Sequence, residues 1–198
     1  MKRTIAVDID EVLAVHNKAL VEFHNSHYGS THTLDDYVSD RWSEVWGTEH
    51  EETARRAIEF HETGVHGKLE LVPGAQSALK LLSKDFRFVG VTLRRKMTID
   101  STRLWVQKHF PDIIAEVRFV HAWEDPDASS KAEVCREIGA DWLIDDTLKH
   151  CLIAADAGIN AILFGDYPWN QTTEVLPSGV TRVNDWKGVL EYFDAKKD

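Results

Sequence analysis

A doubly wound α/β fold with a Rossmann-like parallel sheet is the class this sequence predicts. Short, mainly apolar runs recur along the chain, and a segment of helical period follows each of them. One long polar interval breaks this alternation and reads as helices inserted after the first strand.

The apolar runs at residues 4–7, 86–91, 142–144 and 161–164 have the continuous hydrophobicity of strands covered on both faces, and 117–120 reads as a fifth. Between them, Ile99, Leu104, Trp105 and Val106 mark a helix over 98–109, and similar patterns mark helices over 130–138 and 148–157. Gly139 and Gly158 stop the last two, each a few residues before a strand. Pro73-Gly74 introduces another helix over 75–82. From residue 15 to residue 72 the chain is rich in histidine and tryptophan, with helical patterns at 17–27, 35–46 and 49–63. That interval is too long for an ordinary strand-to-helix connection. Residues 1–14 and 73–198 are therefore expected to form the core, and 15–72 a small helical cap. The tail from Lys196 to Asp198 is expected to fray.

Bulk composition narrows the function classes. With 198 residues, 43% hydrophobic and 28% charged, the chain can bury a full globular core. A net charge of −10 argues against duplex nucleic acid and against an anionic membrane, because both partners need a basic patch. Cys135 and Cys151 lack a C-x-x-C spacing, so neither a disulfide framework nor a zinc knuckle is expected. No stretch approaches the roughly 20 apolar residues of a membrane span, and a cytoplasmic location is the expectation. The oligomeric state is open, with a homodimer allowed.

The first strand ends in Asp8-Ile9-Asp10. Two carboxylates at the end of a buried strand carry a desolvation and repulsion cost that a bound cation or a reaction can offset. Read alone, they could equally be turn residues. The sheet brings more groups to the same place, since ligands of an open parallel sheet sit beyond the carboxyl ends of its strands. The second strand ends in Thr92, followed by Leu93-Arg94-Arg95; Lys131 opens a later helix; the fourth strand ends in Asp145-Asp146. Carboxylates, a hydroxyl and an ammonium suit phosphoryl transfer through an aspartyl-phosphate, with Mg2+ as the natural hard cation.

These four motifs, in this order over nearly the whole chain, resemble the phosphatases of the haloacid dehalogenase-like (HAD) superfamily. The nearest likeness is to the 5′(3′)-deoxyribonucleotidase type, through the first motif, Val72-Pro73-Gly74-Ala75, Lys131-x-x-x-Cys135, Ile144-Asp145-Asp146 and Tyr167-Pro168-Trp169-Asn170. The resemblance implies Asp8 as nucleophile and metal ligand, and Asp10 as general acid/base with its backbone carbonyl on the metal. It implies Thr92 and Lys131 on the phosphate, and Asp145 and Asp146 completing the metal site, with Asp146 favoured as the direct ligand. An aspartate at position 10 also favours phosphate esters over haloacids.

The chain departs from that type at Glu11, where glycine is usual, and at Leu93-Arg94-Arg95, where Ser-Arg-Pro is usual. Glu11 is expected to face solvent, the alternatives being a contact to the cap or to metal-bound water. Arg94 is a candidate phosphate ligand, and Arg94 and Arg95 together could reach a second substrate anion. Trp42, Trp46, Phe60 and His61 could stack on a base or sugar, although aromatics at helical spacing more often form a core, as Trp42 and Trp46, four residues apart on one face, are expected to. His24 and His27 have a spacing zinc can use, but no third ligand accompanies them. The expectation is a Mg2+-dependent phosphomonoester hydrolase acting on a small phosphorylated metabolite, with a 5′-(deoxy)nucleotide as the leading substrate. The rivals are a phosphatase of a sugar phosphate or another metabolite, and a catalytically idle relative that binds a partner.

Overall fold

The computed structural model describes residues 2–39, 41–120 and 129–196, so Lys197 and Asp198 of the expected frayed tail lie outside the described residues. In chain order the elements are β1 (Arg3–Val7), α1 (Asn17–Tyr28), α2 (Trp42–Trp46), α3 (His50–Glu62), α4 (Ala75–Leu82), β2 (Phe86–Thr92), α5 (Ile99–His109), β3 (Ile114–Phe119), α6 (Lys131–Glu137), β4 (Ala140–Asp145), α7 (Leu148–Asp156), β5 (Asn160–Phe164), β6 (Val180–Val183) and α8 (Trp186–Asp194).

The six strands form one sheet in the order β3-β2-β1-β4-β5-β6, every neighbour parallel. Parallel pairing follows from sequence: β1, β2, β4 and β5 are almost wholly apolar, which suits strands covered on both faces. One face packs Ile5, Val7, Phe88, Ile144 and Ile162 against α4, α5 and α8; the other packs Ala6, Val89, Val91, Leu143 and Leu163 against α6 and α7. From β1 the chain runs outward through β2 and β3, then crosses back to the other side of β1 at β4 and runs outward through β5 and β6, so a crevice opens at the carboxyl ends of β1 and β4.

Residues 14 and 71 form an antiparallel bridge, flanked by hydrogen bonds from the Val15 N–H to the Glu70 carbonyl (2.9 Å) and from the Val72 N–H to the Leu13 carbonyl (2.8 Å). The segment between them carries α1, α2 and α3 and its own apolar cluster of Leu20, Val21, Phe23, Tyr37, Trp46 and Phe60. Among the described residues no helix is long and apolar enough to cross a membrane.

The structure differs from expectation at three elements. The single helix expected over 35–46 is a one-turn 3-10 helix (Leu34–Asp36) and the short α2, with Asp40 outside the described residues. Thr33 and Asp36 form the capping box that starts this turn, Asp36 Oδ2 accepting from the Thr33 N–H (2.7 Å) and hydroxyl (3.0 Å); it ends at Tyr37, whose backbone (φ −88°, ψ 72°) leaves the helical region. Tyr37 then turns inward, accepting a hydrogen bond from Trp46 Nε1 at 2.9 Å. β6 and α8, for which the sequence analysis proposes nothing, extend the sheet and cover it; the Trp186 indole donates to the Val12 carbonyl at 2.9 Å and so braces the loop after β1.

Candidate active site

β1 delivers Asp8 to the crevice with its backbone fixed: Val7 pairs with Gly90 and Ile144, and the Asp8 N–H extends the ladder to the Ile144 carbonyl at 2.9 Å. β4, its neighbour, delivers Asp145 and Asp146. Lys131 is the first residue of α6, whose start is set by a capping box in which Ser130 accepts from the Glu133 N–H and the Glu133 carboxylate accepts from the Ser130 N–H. The Lys131 ammonium lies 2.8 Å from Asp8 Oδ2 and 2.7 Å from Asp145 Oδ2. Asp8, Lys131, Asp145 and Asp146 thus meet, and all are buried.

Among the described residues, Asp8, Asp145 and Asp146 are the one group of acidic, histidine or cysteine side chains close enough to share a cation, with oxygens within 4.8 Å of one another. An all-oxygen, carboxylate-rich set fits a hard divalent cation such as Mg2+. The electrostatics fit it too. Burial, with the neighbouring Asp145 and Asp10 charges, pushes Asp8 up to about 6 although Lys131 pulls it down. Burial also drives Asp146 well above the carboxylate range, reinforced by Asp145 and Asp8. Asp145 goes the other way: burial opposes its charge, but Lys131 and His150 together hold it below the usual range. Lys131, despite burial, is held protonated by Asp145 and Asp8. The carboxylates outnumber the ammonium, and a cation would relieve the excess.

The two neighbouring acids are engaged differently. Asp145 is saturated, accepting from Lys131, from the Thr147 N–H at 2.9 Å and from His150 Nδ1 at 3.2 Å. Asp146 accepts from the Trp169 indole at 2.7 Å through Oδ2, while its Oδ1 has only a long contact, 3.5 Å, to the Thr147 hydroxyl. His150 and Trp169 had no place among the sequence-derived candidates. His150, in the first turn of α7, reaches back five residues to Asp145 across the β4–α7 connection, a contact with no periodic signature.

Asp10 does not join the cluster. Its carboxylate lies against Arg94, which contacts Oδ1 through Nη2 at 2.7 Å and both oxygens through Nε at 3.1 Å. Burial opposes the Asp10 charge, yet Arg94, with His16 and His66, outweighs it and holds the carboxyl below its ordinary range. Arg94, expected on the phosphate, is therefore engaged elsewhere, and its Nη1 donates to Thr102 at 2.9 Å. Thr92 stands at the end of β2, wholly buried, with its hydroxyl accepting from the Arg94 N–H at 3.2 Å.

Glu11 corrects the solvent reading, being only 6% exposed. Its Oε1 accepts from the His16 N–H at 2.7 Å and the Asn17 N–H at 2.5 Å, so this carboxylate caps α1 from six residues upstream. It does so from a left-handed backbone, φ 58°, which favours the glycine usual in the resembled type. Burial pushes its carboxyl up to about 7 against the pull of those two N–H groups.

The inserted segment brings His16, His61 and His66 within electrostatic reach of Asp10; His61 was expected as a residue that could stack on a base or sugar, whereas His16 and His66 were not among the candidates. His61 Nδ1 and His66 Nε2 are 3.2 Å apart, and His16 stacks on Trp42 with centroids 6.1 Å apart. Trp46 lies inside the cap cluster, stacked on His24 at 4.4 Å, while Trp42 is half-buried beside His16. His24 and His27 do not converge: His24 meets Ser30 (2.7 Å) and Arg56 (3.0 Å), and His27 meets the Phe23 carbonyl (3.0 Å).

Residues 2–197 match the family described as 5′ nucleotidase, deoxy (pyrimidine), cytosolic type C protein (NT5C). The chain belongs to this family. As a member of this nucleotidase family it is a phosphatase of the HAD type. No curated protein sequence matches it significantly. Among solved structures it is similar to a haloacid dehalogenase-like hydrolase from Streptococcus pneumoniae, with 13% identity, TM-score 0.72 and coverage of 97% of this chain and 98% of that one. It is also similar to a haloacid dehalogenase-like protein of unknown function from Agrobacterium tumefaciens, with 12% identity, TM-score 0.68 and 100% of both chains covered. A third is D,D-heptose 1,7-bisphosphate phosphatase from Burkholderia thailandensis, with 13% identity, TM-score 0.58 and 98% and 99% covered. At such identities these likenesses show the fold, and the fold agrees with the family.

Proposed function

We propose that the chain is a Mg2+-dependent phosphomonoester hydrolase that works through a phosphate ester of Asp8, with a 5′-(deoxy)nucleotide as substrate. The observation that carries this reading is the buried meeting of Asp8, Asp145, Asp146 and Lys131 at the carboxyl end of β1. The family's nucleotidase description supports the substrate class.

An Asp8 oxygen attacks phosphorus, the O–P bond to the substrate alkoxide breaks, and the alkoxide takes a proton from Asp10. In the second half, water attacks phosphorus, Asp10 takes the proton, and the Asp8–phosphate bond breaks to release phosphate. Lys131 and Thr92 hold the phosphate oxygens, Lys131 with a charge that burial makes effective. Mg2+ held by Asp8, Asp146 and the Asp10 carbonyl would neutralise phosphate charge. The long contact at Asp146 Oδ1, against the saturation of Asp145, favours Asp146 as the direct ligand. Arg94 keeps Asp10 in the form that the water-activating half requires, so the first half needs this pair to loosen as substrate binds.

The test is phosphate release from p-nitrophenyl phosphate and from a panel of mononucleotides and sugar phosphates, with Mg2+ or with EDTA. Turnover is expected to need Mg2+, to be greatest on 5′-nucleotides, and to fall at least about a thousandfold in Asp8→Asn. Turnover that survives Asp8→Asn removes the nucleophile assignment.

A further inference from the structure

We propose that Trp169 is a positioning residue that couples the cation site to the cap, through an indole that hydrogen-bonds Asp146 and packs among the cap's aromatic side chains. This rests on the metal-dependent reading above and extends it to a residue outside the four motifs.

Trp169 belongs to a one-turn 3-10 helix (Pro168–Asn170) that follows β5. Its Nε1 donates to Asp146 Oδ2 at 2.7 Å, and its ring packs against the cap cluster containing Tyr37, Trp46 and Phe60. On the core side it stacks on Tyr167, centroids 4.6 Å apart and planes 7° off parallel, and the Tyr167 hydroxyl donates to the Glu11 carbonyl at 2.7 Å. The turn is fastened from below: buried Asn170 donates to the carbonyls of Asp146 and Phe164, each at 3.0 Å, and accepts from Arg182 at 2.9 Å. Gly165 completes the fastening, because a Cβ there would overlap the Tyr167 ring.

An aspartate with one oxygen held by a fixed donor presents the other in a set direction. Groups that orient metal ligands in this way commonly account for about 10–100-fold in metal affinity. Because the same indole fills part of the cap's apolar cluster, any displacement of the cap alters its surroundings. A cation that favours the held form of Asp146 therefore favours the packed cap, and the packed cap favours the cation by the same factor.

The experiment uses the full chain stripped of metal, titrated with Mg2+ by calorimetry, with amide hydrogen exchange followed in α1 and α3. Wild-type protein is expected to bind Mg2+ and to exchange cap amides more slowly when it does. Trp169→Phe keeps an aromatic ring but removes the N–H; it is expected to bind Mg2+ about tenfold more weakly or worse, and to lose the cation-dependent slowing in the cap. If wild-type protein binds no Mg2+, the metal-dependent reading itself fails. If it binds Mg2+ and Trp169→Phe binds equally well, the positioning role is overturned. Wild-type binding that leaves exchange in α1 and α3 unchanged overturns the coupling, whether or not the variant folds.

Discussion

The Arg94 guanidinium is 1% exposed and divides its donors between Asp10 and Thr102. Truncation leaves Asp10 facing a vacated, low-dielectric wall, and broken buried pairs are strongly destabilising. Arg94→Ala should lower the unfolding free energy by about 3 kcal/mol in a urea titration. A second residue-scale expectation concerns pH. Burial, reinforced by Arg56, pushes His24 down to about 4 from an ordinary 6.5. The unfolded chain then holds the proton that the folded chain refuses, so the stability contributed by neutral His24 is complete above pH 6.5 and lost as pH falls toward 4. A thermal melt series in His24→Gln should show a flatter acid limb across that window than the wild type; equal limbs would count against it. At this scale the sequence was least informative about Glu11. Exposure statistics send a lone glutamate to solvent, and only the fold reveals that the loop after β1 aims this one at the first N–H groups of α1.

At the scale of elements, the proposed reaction ties α6 to chemistry, since the capping box that starts it also fixes where Lys131 stands. Ser130→Ala should cost about 1 kcal/mol of stability by urea unfolding, a typical value for a lost N-cap, and should lower turnover because Lys131 becomes less firmly placed. The strands β1, β2, β4 and β5 were legible because each carries a short apolar run at its centre, and burial on both faces leaves little else for such a run to do. β6 was not: Val180–Val183 places Thr181 and Arg182 between two valines, as suits a partly exposed edge strand, and four residues give period too little room. The expected helix over 35–46 failed for a different reason: the chain leaves helical geometry at Tyr37, whose buried ring and hydroxyl are taken up by Trp46 and the inserted segment's apolar cluster, a tertiary contact that periodicity cannot register. Trp169 entered the sequence reading only through a family likeness; its bond to Asp146 spans 23 residues and has no local signature.

For the whole molecule, strand order makes the site. With β1 between β2 and β4, residues 8, 92 and 145 are brought to one end of the sheet by topology alone, which is why the cluster could be assembled from strand ends before any distance was known. What strand order did not predict was the separation of Asp10 from that cluster. That depended on Arg94, a loop side chain whose direction no periodicity records.

The bridge between Ala14 and Leu71 has a consequence for how such enzymes diversify. Because the two ends of the cap are hydrogen-bonded neighbours, the chain's ring is already closed on the core side, and lengthening or exchanging what lies between changes the closure entropy by only ~0.6 kcal/mol per doubling. β1, which delivers Asp8 on one side of that bridge, does not register what is grafted on the other. A single α/β core can therefore carry insertions of different length and sequence at this point with little cost to its own folding.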